Sequence, residues 1–170
     1  MITLFTTFKT KLGWIGLKKS NYGISLITFP SESESKCETF IHTTSKNIKK
    51  SDSEFSYLKD QIYLYTSGNS VDFSSIKLDY AGHSKFSKKT LETCRSVPFG
   101  ETRSYKWLAN ESGSELAYRA VGQIMAKNKF PIIVPCHRIV GSTGKLTGFQ
   151  GQTNDLNMKI KLLNMENLKT

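Results

Sequence analysis

The 170-residue chain is poor in the residues that staple or interrupt a fold, with three cysteines and four prolines. Cys37, Cys94 and Cys136 are far apart and odd in number, so they make neither a disulfide framework nor a paired Cys-x-x-Cys metal signature. At least one must be a free thiol, which suits a reducing compartment. Cys37 with His42 and His83 offers too few ligands for zinc, so no metal is expected. Long apolar runs are also missing. No stretch approaches the roughly 18 uncharged residues of a membrane helix. The start, Met1-Ile2-Thr3-Leu4-Phe5, lacks the basic flank and small-residue cleavage site of a signal peptide. A soluble protein with no membrane partner is expected, in the cytoplasm, or in the nucleus if the cell is eukaryotic.

Acidic residues are scarce in one half only. Residues 83–170 carry 14 Lys/Arg against 6 Asp/Glu, a net +8, whereas residues 1–82 carry 10 against 8. A basic second half suits a polyanion, because each phosphate neutralised releases condensed counterions. A solvated lysine-rich surface gives the same total.

Three short β-forming segments, Ile2–Phe8, Gly13–Lys18 and Gly23–Phe29, are separated by turn residues such as Ser20-Asn21-Tyr22-Gly23 and predict a small antiparallel sheet. The Ser-, Glu- and Lys-rich stretch 31–53 has little pattern beyond a helix around Cys37–His42. Phe55, Leu58, Ile62 and Tyr65 fall at helical spacing within Glu54–Ser67, and Gly68 is a C-terminal stop. Residues 71–83 read as a connection. From Ser84 the pattern turns helical, with Phe86, Leu91 and Cys94 on one face and Pro98-Phe99-Gly100 as terminator.

Ser104 is a natural N-cap for a helix over Tyr105–Ala109. After the turn Ser112-Gly113-Ser114, a second helix is predicted over Glu115–Lys127. Two short helices joined by a tight turn in a basic region predict a helix-turn-helix. At about 100° per residue, Ala117, Ala120, Val121 and Ile124 converge on an inward face. Arg119, Gln123 and Ala126 point outward with Gly122 at the edge, and small residues around one long cation allow close approach to DNA.

The strongest chemical signal is Pro131-Ile132-Ile133-Val134-Pro135-Cys136-His137-Arg138-Ile139-Val140-Gly141. An apolar β-branched run presents a thiol whose direction Pro135 constrains. Basic neighbours stabilise a thiolate, the reactive form of cysteine, and an imidazole can generate it. Neighbouring strand residues point to opposite faces, so His137 reaches the sulfur only if the backbone turns or a water relays the proton. Composition alone also permits a buried structural thiol.

The hexapeptide Val134-Pro135-Cys136-His137-Arg138-Ile139 resembles the active-site signature of the O6-alkylguanine-DNA alkyltransferases. Phe99-Gly100-Glu101, Ser104-Tyr105, Leu108-Ala109, Gly113, Arg119-Ala120-Val121-Gly122, Met125 and Asn128 fall at that family's spacing, so the likeness runs from about Phe86 to Glu166. The resemblance implies an α+β protein. A small N-terminal α/β domain with an antiparallel, ribonuclease-H-like sheet (1–82) would precede a helical, winged-helix-like C-terminal domain containing the helix-turn-helix (83–170).

The resemblance further implies one-time transfer of an alkyl group from the O6 atom of guanine in double-stranded DNA to Cys136, with no cofactor. His137 would deprotonate Cys136 through a water, and Glu166 would orient and charge-balance His137. Tyr105 would hydrogen-bond the guanine and crowd the phosphate so that the nucleotide rotates out. Arg119 would fill the vacated stack, with Gly122, Gln123, Ala126 and Arg138 also at the DNA. Asn128 would support the backbone between recognition helix and active-site strand. Pro135, Ile139, Phe149, Gln150 and Lys159 would line the pocket, and the carbonyls of Cys136 and Ile139 would read the exocyclic amine. A monomer is expected, with cooperative assembly on DNA left open. Two other readings are a lesion sensor, which would replace the nucleophile that Cys136 supplies here, and a helix-turn-helix transcription factor, which leaves Pro135-Cys136-His137-Arg138 unexplained.

Overall fold

In the computed structural model, which describes residues 3–45, 47–146 and 156–167, three strands open the chain: β1 (Thr3–Thr10), β2 (Gly13–Ser20) and β3 (Gly23–Ile27). The reversals between them end on Gly13 and Gly23, at φ 125° and 146°. A Cβ at Gly23 would lie 2.5 Å from the Lys77 carbonyl oxygen, so both backbone conformation and space require glycine there.

β1 pairs antiparallel with β2, and β2 with β3, with an irregularity between Lys18 and Lys19. The sheet is not purely antiparallel, however. β4 (Ile48–Lys50) lies parallel to β1 and gives the order β3-β2-β1-β4. Helix α1 (Glu34–Thr44) intervenes between β3 and β4, the crossover that a parallel edge needs. Neither the cap that starts α1, Ser33 accepting from Lys36 N, nor β4 stands out in the polar 31–53 stretch.

Both faces of this sheet are covered, which is why β1 lacks a polar side. Phe5 packs with Ile41 and edge-on to His42, and Thr7 Oγ1 donates to Glu34, all on α1. On the other face Phe8 meets Tyr63 of α2 (Ser56–Thr66) edge-on at 5.3 Å, and Thr6 donates to Asp52. The buried threonines therefore satisfy their hydroxyls, as burial demands. A short 3-10 turn, Ser53–Phe55, leads into α2.

The remaining elements are largely helical. α3 (Lys85–Arg95), capped by Ser84, packs against α4 (Tyr105–Glu111) and α5 (Tyr118–Ala126). Ser104 caps α4 by accepting from Trp107 N at 3.0 Å. α5 starts three residues later than its pattern suggests, because 114–117 forms a turn closed by Ala117 N to Ser114 O. Its buried stripe is Val121 and Met125, flanked by half-buried Ala117 and Ile124, while Ala120 is exposed. On a 100° wheel Ala120 lies more than a quarter-turn from the Val121–Met125 axis, so it joins the outward arc with Arg119 and Gln123.

The run before the thiol departs from the strand reading. Residues 131–134 form turns, Ile132 sits at φ 75°, and Cys136–Arg138 is a 3-10 turn. A β-branched residue at positive φ is strained and persists only where its surroundings over-determine it. Strand β6 (Ile139–Val140) follows, parallel to β5 (Arg103–Ser104), and α6 (Asn157–Met165) closes the described fold.

By internal contacts this α+β chain forms two units, Met1–Ala81 with Lys129–Pro131, and Gly82–Asn128 with Ile132–Thr170. The return of 129–131 to the first unit was not foreseen by the division into 1–82 and 83–170. Lys129 O accepts from Ile27 N at 2.8 Å, and the Phe130 ring meets Tyr80 edge-on at 5.5 Å.

Candidate active site

Cys136 is placed by the turn that replaces the strand. Its N–H donates to Val134 O, Arg138 N–H donates to Pro135 O, and both bonds are 2.8 Å. The β5–β6 pairing then ties this turn to Ser104, the cap of α4, and so to half-buried Tyr105. Residues 131–140 are all buried, with Cys136 3% and His137 0% exposed.

Two buried ionic groups come from α6 and its C-terminal end. Lys159, Leu162, Leu163 and Glu166 recur at helical spacing, so one face of this segment delivers a cation and, two turns later, an anion. Lys159 Nζ donates to Ile139 O at 2.6 Å and lies 5.9 Å from the centre of the Tyr105 ring. Glu166 Oε1 is 2.8 Å from His137 Nε2.

Arg138 does not point toward an external ligand. It is 8% exposed, and its Nε and Nη2 each donate to Glu166 at 2.9 Å while Nη1 donates to Val97 O at 2.6 Å. The expectation that it reaches DNA is therefore corrected. Each of its three nitrogens has a partner inside the unit, because a buried carboxylate needs a charged partner.

The loop after α3 completes this arrangement, a contribution the sequence reading missed. Gly100 N–H donates to Glu166 Oε2 at 3.1 Å, and the Arg138 guanidinium lies 5.8 Å from the Phe99 ring centre. Only the recurrence of Phe99-Gly100 in the resemblance marked the loop. By its own residues it reads as a helix stop.

Asn128 behaves as a bracket. Its Nδ2 donates to Val134 O at 2.9 Å, two residues before the thiol, and Asn128 favours the anionic form of the Cys136 sulfur. Buried Pro135 and Ile139 flank the turn. Arg119 and Gln123 are exposed, Gly122 and Ala126 half-buried, and a Cβ at Gly122 would meet nothing within 4 Å. Phe149 and Gln150 lie outside the described residues.

The electrostatics define a resting state. Burial pushes the Cys136 thiol up, against the pull of Asn128 and the Lys159 charge, so the sulfur is neutral at pH 7. Burial also lowers His137, more than the Glu166 hydrogen bond raises it, and the imidazole is neutral too. Burial alone would raise Glu166. Hydrogen bonds from His137 and Arg138, with the guanidinium charge beside it, outweigh it and hold that carboxyl at about 2. The resting ion pair is thus Arg138–Glu166, and neutral His137 donates to the same carboxylate. Burial lowers Lys159 to about 8. Cys94, fully buried nearby, is raised well above its usual value by desolvation.

Chemically, the arrangement holds a shielded thiol beside a neutral imidazole whose protonation a fixed carboxylate can stabilise. Among the described residues no group of three or more His, Cys, Asp or Glu is placed to hold a metal, and no helix is long and apolar enough to cross a membrane.

Residues 85–168 match the family described as 6-O-methylguanine DNA methyltransferase, DNA binding domain. A constitutive methylated-DNA–protein-cysteine methyltransferase of Bacillus subtilis is 32% identical over 164 residues, covering 96% of this chain and 95% of that protein. A methylated-DNA–protein-cysteine methyltransferase of Mycobacterium bovis is 40% identical over 112 residues, which span 66% of this chain and 65%, just under two thirds, of that relative. The solved O6-methylguanine methyltransferase of Mycobacterium tuberculosis is 29% identical with a TM-score of 0.77, covering 99% of this chain and 94% of its own. A Mycobacterium tuberculosis OGT in complex with DNA is 30% identical with a TM-score of 0.77, covering 98% and 92%.

Proposed function

We propose that this chain, which belongs to the methylated-DNA–protein-cysteine methyltransferase family, repairs DNA by accepting the alkyl group of an O6-alkylguanine on Cys136. The buried cluster of Cys136, Asn128, His137 and Glu166, with Asn128 bracing the Val134 carbonyl and Glu166 holding His137, is the observation that carries this reading, supported by a relative solved with DNA.

The target oxygen lies inside the duplex, so the nucleotide must leave the stack before the thiol can reach it. The exposed arc of α5, with Arg119 among small residues, faces the DNA in this reading, and Arg119 occupies the space the base vacates. Tyr105 then hydrogen-bonds the guanine and crowds the phosphate, and the Ile139 carbonyl, already oriented by Lys159, accepts from the exocyclic amine.

With His137 Nε2 engaged by Glu166, a water carries the Cys136 proton to Nδ1. The imidazolium so formed is stabilised by the Glu166 carboxylate. The sulfur lone pair attacks the alkyl carbon, the S–C bond forms, and the C–O6 bond breaks with its electron pair passing to guanine. That guanine takes up a proton and returns to the stack.

The product thioether has no chemical route back to a thiol among these groups, so each molecule acts once. The resting thiol, neutral and 3% exposed, is protected from adventitious alkylation until substrate binds. A DNA substrate and a reduced thiol support a cytoplasmic location, or a nuclear one in a eukaryotic cell.

The test is intact-protein mass spectrometry after incubation with a duplex containing O6-methylguanine. Wild type gains the mass of one methylene group and Cys136→Ala gains none. An unmodified, folded, reduced wild type that still binds the lesion overturns the transfer.

A further inference from the structure

Two large apolar side chains stand in water at the junction between the 114–117 turn and α5. Leu116 is 86% exposed, the highest value among the described large hydrophobic residues, and Tyr118, the first residue of α5, is 47% exposed. The next residue is Arg119 of the outward arc, whose guanidinium lies 6.0 Å from the Tyr118 ring centre. The aromatic face thus props the cation at the same end of the helix.

A single exposed leucine needs no explanation, but two large apolar side chains beside a protruding cation mark a contact surface. Local charge narrows what that surface meets. Glu111 and Glu115, both exposed, precede Leu116 closely in the chain and disfavour the phosphate backbone there. The groove interior is the part of a duplex that carries apolar surface away from phosphate. Leucine is among the side chains that proteins insert between base steps.

We propose that Leu116 is a wedge that enters the duplex beside Arg119 and covers the base face uncovered when the target nucleotide rotates out. The inference rests on the DNA-repair reading above and adds to it a residue that acts on the DNA stack. Arg119 replaces the lost base with a cation, and Leu116 supplies the apolar contact that a guanidinium edge lacks. Tyr118 holds Arg119 in line with it.

The experiment places 2-aminopurine next to the target position of a duplex and reads its fluorescence at saturating protein. Leu116 is exposed, so Leu116→Ser keeps the fold, checked by an unchanged melting temperature. Wild type gives a rise from unstacking, Leu116→Ser cuts that rise at least about threefold, and Leu116→Met restores it. Equal rises for wild type and Leu116→Ser at saturation overturn the wedge, whether or not transfer occurs. If the fluorescence contrast is present but wild type is never alkylated by an O6-methylguanine duplex, the repair reading fails and the wedge stands.

Discussion

Replacing Glu166 by glutamine tests the electrostatics of the site most directly. The substitution keeps size and one acceptor for His137 Nε2, but leaves the Arg138 guanidinium buried without its counter-charge. A carboxyl held at about 2 instead of 4.5 contributes about 3 kcal/mol to folding at neutral pH. Breaking one side of a buried pair costs about 3–5 kcal/mol, so the two figures agree in scale.

The sign follows from the depressed value. This stabilisation is fully present above 4.5 and is lost as the pH falls toward about 2. Glu166→Gln should therefore be less stable than wild type by about 3 kcal/mol at pH 7, with the gap shrinking steadily below pH 4.5. Trp107 lies in the same unit as Glu166, and its fluorescence during urea unfolding, in a Trp14→Phe background, reads that unit selectively. A gap below about 1 kcal/mol at pH 7, or one that acid does not narrow, would refute the assignment of Arg138–Glu166 as the resting pair.

Three further outcomes follow from the same geometry. Asn128→Ala leaves the buried Val134 carbonyl without that donor and costs about 2 kcal/mol by urea unfolding; it also slows transfer at pH 7, since the thiol loses a group that favours its anion. All three cysteines are buried, so a thiol-specific chromogenic reagent should titrate almost none in native protein and three in denaturant; a fast native thiol that disappears in Cys136→Ala would contradict a shielded resting sulfur. Gly23→Ala combines an unfavourable φ with a clash against the Lys77 carbonyl and should destabilise the first unit by about 1–3 kcal/mol, with Trp14 as reporter.

Local signals in the sequence were legible where one residue type controls one piece of backbone. Ser104 as N-cap, Gly68 as stop and the Gly13 and Gly23 reversals each follow from the chemistry of a single residue. Phase and long-range partnership were not. The 114–117 turn shifts α5, and only then does the Val121–Met125 stripe emerge as the buried one. Pro135-Cys136-His137 reads as strand by composition, yet the chain turns there, stabilised in part by Asn128 and by Ile139–Val140 pairing with Arg103–Ser104. Arg138 looked like a DNA contact because its partner, Glu166, is 28 residues away. No local pattern distinguishes an arginine destined for a buried carboxylate from one destined for phosphate.

The return of Lys129–Pro131 to the first unit also bears on how divisible this protein is. Cutting the chain at Gly82 would not liberate a self-sufficient second unit. The fragment would still carry Phe130, 0% exposed in the whole chain, now stripped of Tyr80 and presented to solvent four residues before Val134. A minimal version of the second unit is expected to need a polar residue in place of Phe130 or a shorter segment between Asn128 and Ile132. The thiol thus follows, five residues on, a piece of chain that belongs to the first unit, and neither unit can be exchanged for a foreign counterpart without redesigning that thread.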